Sequence, residues 1–204
     1  MTSLPELRRK IEDLASGQTR ILVAIAGPPA SGKSTLAEDL VRALGPKAVV
    51  LPMDGFHLEN DQLQEIGLLH RKGAPETFDA GGFVSLLRRV RNESTVPFPN
   101  FDREADKTIP NSGQIHKDTR IVLVEGNYLL LNFSPWSGLA DLFDLTIRLD
   151  VGHDDLEARL ISRWLNHGLQ PDEARARALG NDMKNVTFVE ANSVAPDATL
   201  KAGA

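Results

Sequence analysis

Residues 27–35 read Gly27-Pro28-Pro29-Ala30-Ser31-Gly32-Lys33-Ser34-Thr35, with Gly27, Gly32, Lys33 and Ser34 on the fixed points of the pattern G-x-x-x-x-G-K-[ST]. The run before it, Ile21-Leu22-Val23-Ala24-Ile25-Ala26, is wholly apolar, and the residues after it, Thr35-Leu36-Ala37-Glu38-Asp39-Leu40-Val41, repeat at helical spacing. Strand, glycine loop and helix in that order are the context in which this pattern cradles phosphate. The glycines let backbone N–H groups approach phosphate oxygens closely, and the helix behind them adds its positive dipole end. Lys33 is expected to reach the β- and γ-phosphates and Ser34 Oγ to ligate Mg²⁺. The stretch Gly27 to Thr35 is therefore expected to hold a nucleoside triphosphate.

Further short apolar runs suit strands covered on both faces, as in a parallel sheet. They are Ala48–Met53, Ile121–Val124, Leu142–Leu149 and a weaker Ala198–Leu200. Helical patterns separate them. Phe83, Leu86, Leu87 and Val90 share one helix face behind Asp79 as N-cap, and Leu4, Leu7, Ile11 and Leu14 share another. Residues 153–192 predict two or three short helices, with Gly168 and Gly180 as stops and Pro171 near a start. Residues 55–77 and 96–118 read as long, polar, proline-marked loops, and loops of that length are usually functional. The fold class expected is α/β: a three-layer α/β/α phosphate-loop NTPase with a mostly parallel five-stranded sheet and a helical lid. One domain is expected over residues 1–204, with the lid at about 153–192.

The chain has 204 residues, 41% hydrophobic and 25% charged, with a formal net charge of −5 and no cysteine. The acidic balance argues against nucleic acid as the main partner. The lack of cysteine excludes disulfides, thiolate metal sites and cysteine nucleophiles. No apolar run is long enough to span a bilayer, and the polar N-terminus predicts no secretory leader, so a cytoplasmic location is expected.

Two acids end strands at the expected ligand edge of the sheet: Asp54 after the second and Glu125 after the third. A carboxylate there can serve Mg²⁺ or take a proton from an attacking hydroxyl; it can also simply cap its own loop. We allot the base to Asp54 and the metal to Glu125. No Asn-Lys-x-Asp base-reading segment is present, which removes the GTPase reading.

The segments Pro52-Met53-Asp54-Gly55-Phe56-His57, Arg71-Lys72-Gly73-Ala74-Pro75-Glu76-Thr77-Phe78-Asp79, Phe101-Asp102-Arg103 and Val124-Glu125-Gly126-Asn127-Tyr128 resemble the uridine kinase, pantothenate kinase and phosphoribulokinase superfamily. Within it they look most like bacterial kinases labelled fructose transport system kinase. The resemblance runs from about Arg20 onward. It implies ATP-dependent phosphoryl transfer to a hydroxyl of a small metabolite: a sugar, a nucleoside or a vitamin precursor. It supports Asp54 as the base and places Gly55, Phe56, His57, Phe101 and Asp102 at the acceptor pocket. Arg103, Asn127 and Tyr128 are counted with them. It also implies that arginines of the 153–192 lid close on the phosphates. Arg159 and Arg163, four apart on one helix face, are preferred over Arg175 and Arg177. A regulatory ATP-binding protein linked to a transport system is the alternative.

Overall fold

The computed structural model describes residues 3–201; the ends of the expected 1–204 span lie outside the described residues. Five strands form one wholly parallel sheet: β1 (Ile21–Ala26), β2 (Ala48–Pro52), β5 (Ile121–Gly126), β6 (Leu145–Asp150) and β7 (Ala198–Lys201), in the order β2-β5-β1-β6-β7. Every residue of β1 and β5 is buried, which explains why the sequence shows unbroken apolar runs there. Alternate residues serve opposite cores. Leu22, Ala24 and Ala26 join one side; Ile21, Val23 and Ile25 join the other.

The second of these cores takes Leu7 and Ile11 of α1 (Leu4–Ser16) and Leu36, Ala37 and Leu40 of α2 (Lys33–Leu44). The first takes Phe83, Leu86, Leu87 and Val90 of α4 (Ala80–Asn92), together with Trp136 and the segment Tyr128–Leu131. Asp79 caps α4 as expected, its carboxylate accepting from Gly82 N at 2.8 Å. Helices α5 (His153–Asn166), α6 (Pro171–Arg177) and α7 (Met183–Asn192) gather a small third core of Val151, Leu156, Leu160, Ala178 and Val186, against which Ala30 of the phosphate loop also packs. Among the described residues no helix is long and apolar enough to cross a membrane.

Four expectations are corrected. The segment 96–118 is mostly a hairpin, β3 (Val96–Asp102) paired antiparallel with β4 (Lys107–Ile115). Its prolines hid it. A two-stranded sheet tolerates them because much of its backbone has no ladder partner, and Pro99 sits where the register shifts between Phe98 and Asn100. Val96, Phe98 and Ile115 anchor the hairpin in the core. The segment 55–77 holds a short helix, α3 (Asn60–Glu65), and 3₁₀ turns at Leu69–Arg71 and Pro75–Thr77. Strand β6 begins at Leu145 rather than Leu142, because the Asp144 carboxylate takes Leu22 N at 2.7 Å and pairs with Arg91 at 2.7 Å. Gly168 does end a helix, at φ +88°. Gly180 does not: it lies in a π turn, Ala178–Asp182, that carries α6 into α7.

Candidate active site

The phosphate loop leaves β1 and enters α2 through Gly32, whose φ of +96° belongs to the left-handed region that glycine occupies without strain. Lys33 follows at once and is only 7% exposed, with Nζ donating to the Pro28 carbonyl at 2.8 Å. Burial pushes its ammonium down to about 8, against the pull of Glu125 and Asp54. Ser34 Oγ donates to Glu125 Oε1 at 3.3 Å. Burial raises the Glu125 carboxyl above its ordinary value, Lys33 opposing. Parallel pairing explains the meeting: β1 and β5 run side by side, so the loop after Ala26 and the end of β5 share one edge of the sheet.

A cleft of about 650 Å³ opens over this edge. Pro29, Ala30, Gly32, Lys33, Ser34 and Thr35 line its nucleotide end. Gly27, Pro28 and Ser31 lie beneath, buried, and shape the loop from below. At the other end stand Asp54, His57, Phe101, Arg103 and Asn127. Asp54 Oδ2 receives Arg103 Nη2 at 2.7 Å, a pair joining the end of β2 to the hairpin. The His57 ring lies between Phe78, at 4.0 Å, and Phe101, at 4.7 Å between centroids. Burial drives its imidazole down to about 4, so it is neutral at physiological pH.

Four residues expected at the acceptor pocket face elsewhere. Tyr128 is fully buried, its hydroxyl donating to the Gly73 carbonyl. Phe56 turns into the core and packs edge-on against Phe83 at 5.0 Å. Asp102 caps the hairpin turn, accepting from the Glu104 and Ala105 amides, each at 3.0 Å. Gly55 is pressed against the backbone of the hairpin: a Cβ there would stand 2.2 Å from the Pro99 carbonyl oxygen.

The lid arginines are also reassigned. Arg163 lines the cleft, and so does Arg177, from the pair that was set aside. Arg159 points outside it, toward the Ala30 and Ser31 carbonyls at 3.5 Å each. Arg175 pairs with Glu157 at 3.3 Å. The guanidinium groups of Arg163 and Arg177 lie 5.7 and 5.1 Å from the Trp164 ring, whose indole N–H donates to Asp182 Oδ2 at 2.6 Å. Burial raises the Asp182 carboxyl. The pairing was hidden because Arg163 and Arg177 lie on different helices, α5 and α6, and meet only where both reach the Trp164 ring.

Sequence reading also passed over Lys72 and Asp106. Lys72 Nζ donates to Asp106 Oδ1 at 2.8 Å and to Asn60 Oδ1 at 2.7 Å, and lies 5.2 Å from the Phe101 ring centroid. Lys72 stood inside the superfamily-like segment 71–79 and could have been found there. Asp106 has no such signal; it sits in the hairpin turn at φ +49°.

A phosphate loop, a strand-end acid beside it, a second acid across the cleft and cationic side chains closing from a helical segment define a kinase-type site. The model of the phosphoribulokinase and uridine kinase family matches residues 22–167, so the chain belongs to that family. It is 37% identical to a Schizosaccharomyces pombe protein named "Putative uridine kinase C227.14", over 98% of this chain and 91% of that one. It is 32% identical to a pantothenate kinase of Streptococcus pneumoniae, over 71% of this chain and 49% of the other. Among solved structures, a protein of Silicibacter sp. TM1040 described as a "putative fructose transport system kinase" superposes with a TM-score of 0.93 at 45% identity, covering 98% of this chain and 100% of that one. The chain is an ATP-dependent small-molecule kinase.

Proposed function

We propose that the chain moves the γ-phosphoryl group of ATP to a hydroxyl of a small sugar, nucleoside or vitamin precursor, with Asp54 as general base. The observation that carries this is the placement of Asp54 and Lys33 on one cleft, close enough that Asp54 raises the lysine's proton affinity. Asp54 Oδ2 is held by Arg103, which turns the carboxylate and leaves Oδ1 for the acceptor's proton. As the acceptor oxygen attacks the γ-phosphorus, its proton passes to Asp54 and ADP leaves. Lys33 carries charge of the transferring group, and Arg163 and Arg177 approach it from a lid formed by residues 153–192.

Ser34 Oγ and Glu125 Oε1 are hard oxygen donors suited to Mg²⁺. Among the described residues no group of three or more His, Cys, Asp or Glu could hold a metal unaided. Ser34 and Glu125 would hold the ion, which when bound would neutralise phosphate charge.

The test is ATP consumption with Mg²⁺ across nucleosides, pantothenate-like vitamins, sugars and sugar phosphates, with Lys33→Ala as the blank. One acceptor is expected to raise ADP release above the acceptor-free rate and to gain a phosphate by mass. Measurable ATP binding with no phosphorylated product from any acceptor would refute this reading and favour a nucleotide sensor.

A further inference from the structure

The charges at the acceptor end of the cleft are already matched within the chain. Lys72 is nearly enclosed, its side chain 11% exposed, and its ammonium donates to Asp106 Oδ1 at 2.8 Å, to Asn60 Oδ1 at 2.7 Å and to the Asp106 carbonyl at 3.3 Å. Three donors meet three acceptors, so none is left for a ligand. Asp106 is half-exposed, and its other oxygen takes Asn60 Nδ2 at 2.8 Å. The second cation, Arg103, is held by Asp54. His57, between them, is neutral. These groups sum to zero charge.

We propose that the acceptor is an uncharged hydroxylated molecule, and that Asp106 is the residue that excludes phosphorylated and carboxylated ones by neutralising Lys72. This rests on the kinase reading of the same cleft. An anionic acceptor would find every Lys72 donor engaged and would meet only the open edge of an Arg103 whose charge Asp54 already balances, and buried charge is costly unless paired. An uncharged hydroxyl compound gives up far less on entry. The remaining cations of the cleft are Lys33, whose Nζ donates to the Pro28 carbonyl, and Arg163 and Arg177, which flank the Trp164 ring.

Asp106→Asn is the informative variant. Asparagine accepts the left-handed φ of +49° as aspartate does, and its amide oxygen can still take Lys72, while its Nδ2 replaces the oxygen that accepted from Asn60 Nδ2, so that one hydrogen bond is lost with the charge. The variant removes one negative charge and leaves Lys72 uncompensated. Inorganic phosphate and acetate serve as probes, titrated by calorimetry into the complex with Mg²⁺ and a non-hydrolysable ATP analogue, so that the phosphate loop is filled. The wild-type complex is expected to bind neither in the millimolar range, and the variant to gain affinity by about tenfold or more. Matched acceptors, a neutral compound and its phosphate, are then compared by kcat/KM; the neutral one is expected to win in the wild type and the ratio to move toward the phosphate in the variant. Wild-type binding of phosphate as tight as the variant's, or a wild-type preference for the charged acceptor, overturns the proposal. Lys72→Met guards against misfolding of Asp106→Asn: probe binding by the wild type that disappears in Lys72→Met would show Lys72 to be an anion receptor and overturn it as well. Failure of the kinase reading is distinguishable, because it would appear as no phosphoryl transfer to any acceptor, while the anion titration needs no turnover.

Discussion

Gly55→Ala should separate catalysis from nucleotide binding, and its size can be worked from the packing. A Cβ at Gly55 would stand 2.2 Å from the Pro99 oxygen and 2.7 Å from its carbonyl carbon, whereas ordinary contact begins near 3.4 Å. The obstacle is hairpin backbone, so no rotamer change relieves it. The hairpin or the turn Met53–Phe56 must retreat by about 1 Å. Overpacking of that kind costs about 1–3 kcal/mol of stability. The retreat separates Asp54, on the turn, from Arg103, on the hairpin, and so loosens the 2.7 Å pair that orients the base. A misplacement of about 1 Å at a reacting group is enough for a loss of about a hundredfold in kcat. The phosphate loop rests on β1, α2 and β5, so ATP affinity should stay within about threefold of wild type. The assays are steady-state turnover with a saturating acceptor, ATP binding followed by Trp164 fluorescence, and urea unfolding. Gly17→Ala is the control, since a Cβ there meets nothing within 4 Å. A variant with wild-type kcat and intact stability would refute the claim that this contact sets the position of Asp54.

Three further outcomes are expected. Asp54→Asn should lower kcat by about two orders of magnitude or more while ATP affinity holds, and surviving turnover would take the base role away from Asp54. Arg177→Ala should weaken ATP turnover more than Arg159→Ala, because only the former lines the cleft; equal losses in kcat/KM for ATP would contradict the placement. His57 binds its proton less readily folded, near 4, than unfolded, near 6.5, so the folded chain loses stability as pH falls through that window, by about 3 kcal/mol in full. The unfolding free energy of wild type should therefore fall relative to His57→Gln between pH 7 and pH 4, and parallel curves would show that His57 titrates normally.

What the sequence made legible follows from how each feature is encoded. The phosphate loop and the two strand-end acids are local: glycine spacing, apolar runs and a carboxylate at the end of each strand sit within a few residues, so the sequence brings Lys33, Ser34, Asp54 and Glu125 to one sheet edge, and all four line the cleft there. The parallel sheet was legible because strands buried on both faces must be apolar throughout. The acceptor end is another matter. Arg103 meets Asp54 across 49 residues, and Asp106 meets Lys72 across 34. Those encounters depend on a hairpin whose prolines and polar outer face read as a loop. Tyr128 misled for the same reason: an aromatic after a strand end can face either the cleft or the core, and only the position of the Gly73 carbonyl decides which.

The two ends of the cleft are joined through residues 153–192 as well as through the sheet. Asn181 Nδ2, in the π turn, donates to the Lys72 carbonyl at 3.4 Å, and the next residue, Asp182, holds the indole flanked by Arg163 and Arg177. The same short segment therefore touches the chain that carries Lys72 and the group that places the lid arginines. Across the cleft Ala30 of the phosphate loop packs against the lid's own small core. A displacement of the π turn that kept both contacts would carry the Lys72 backbone and Trp164 with it, and one that broke the second would leave a buried carboxylate and an indole N–H unpaired.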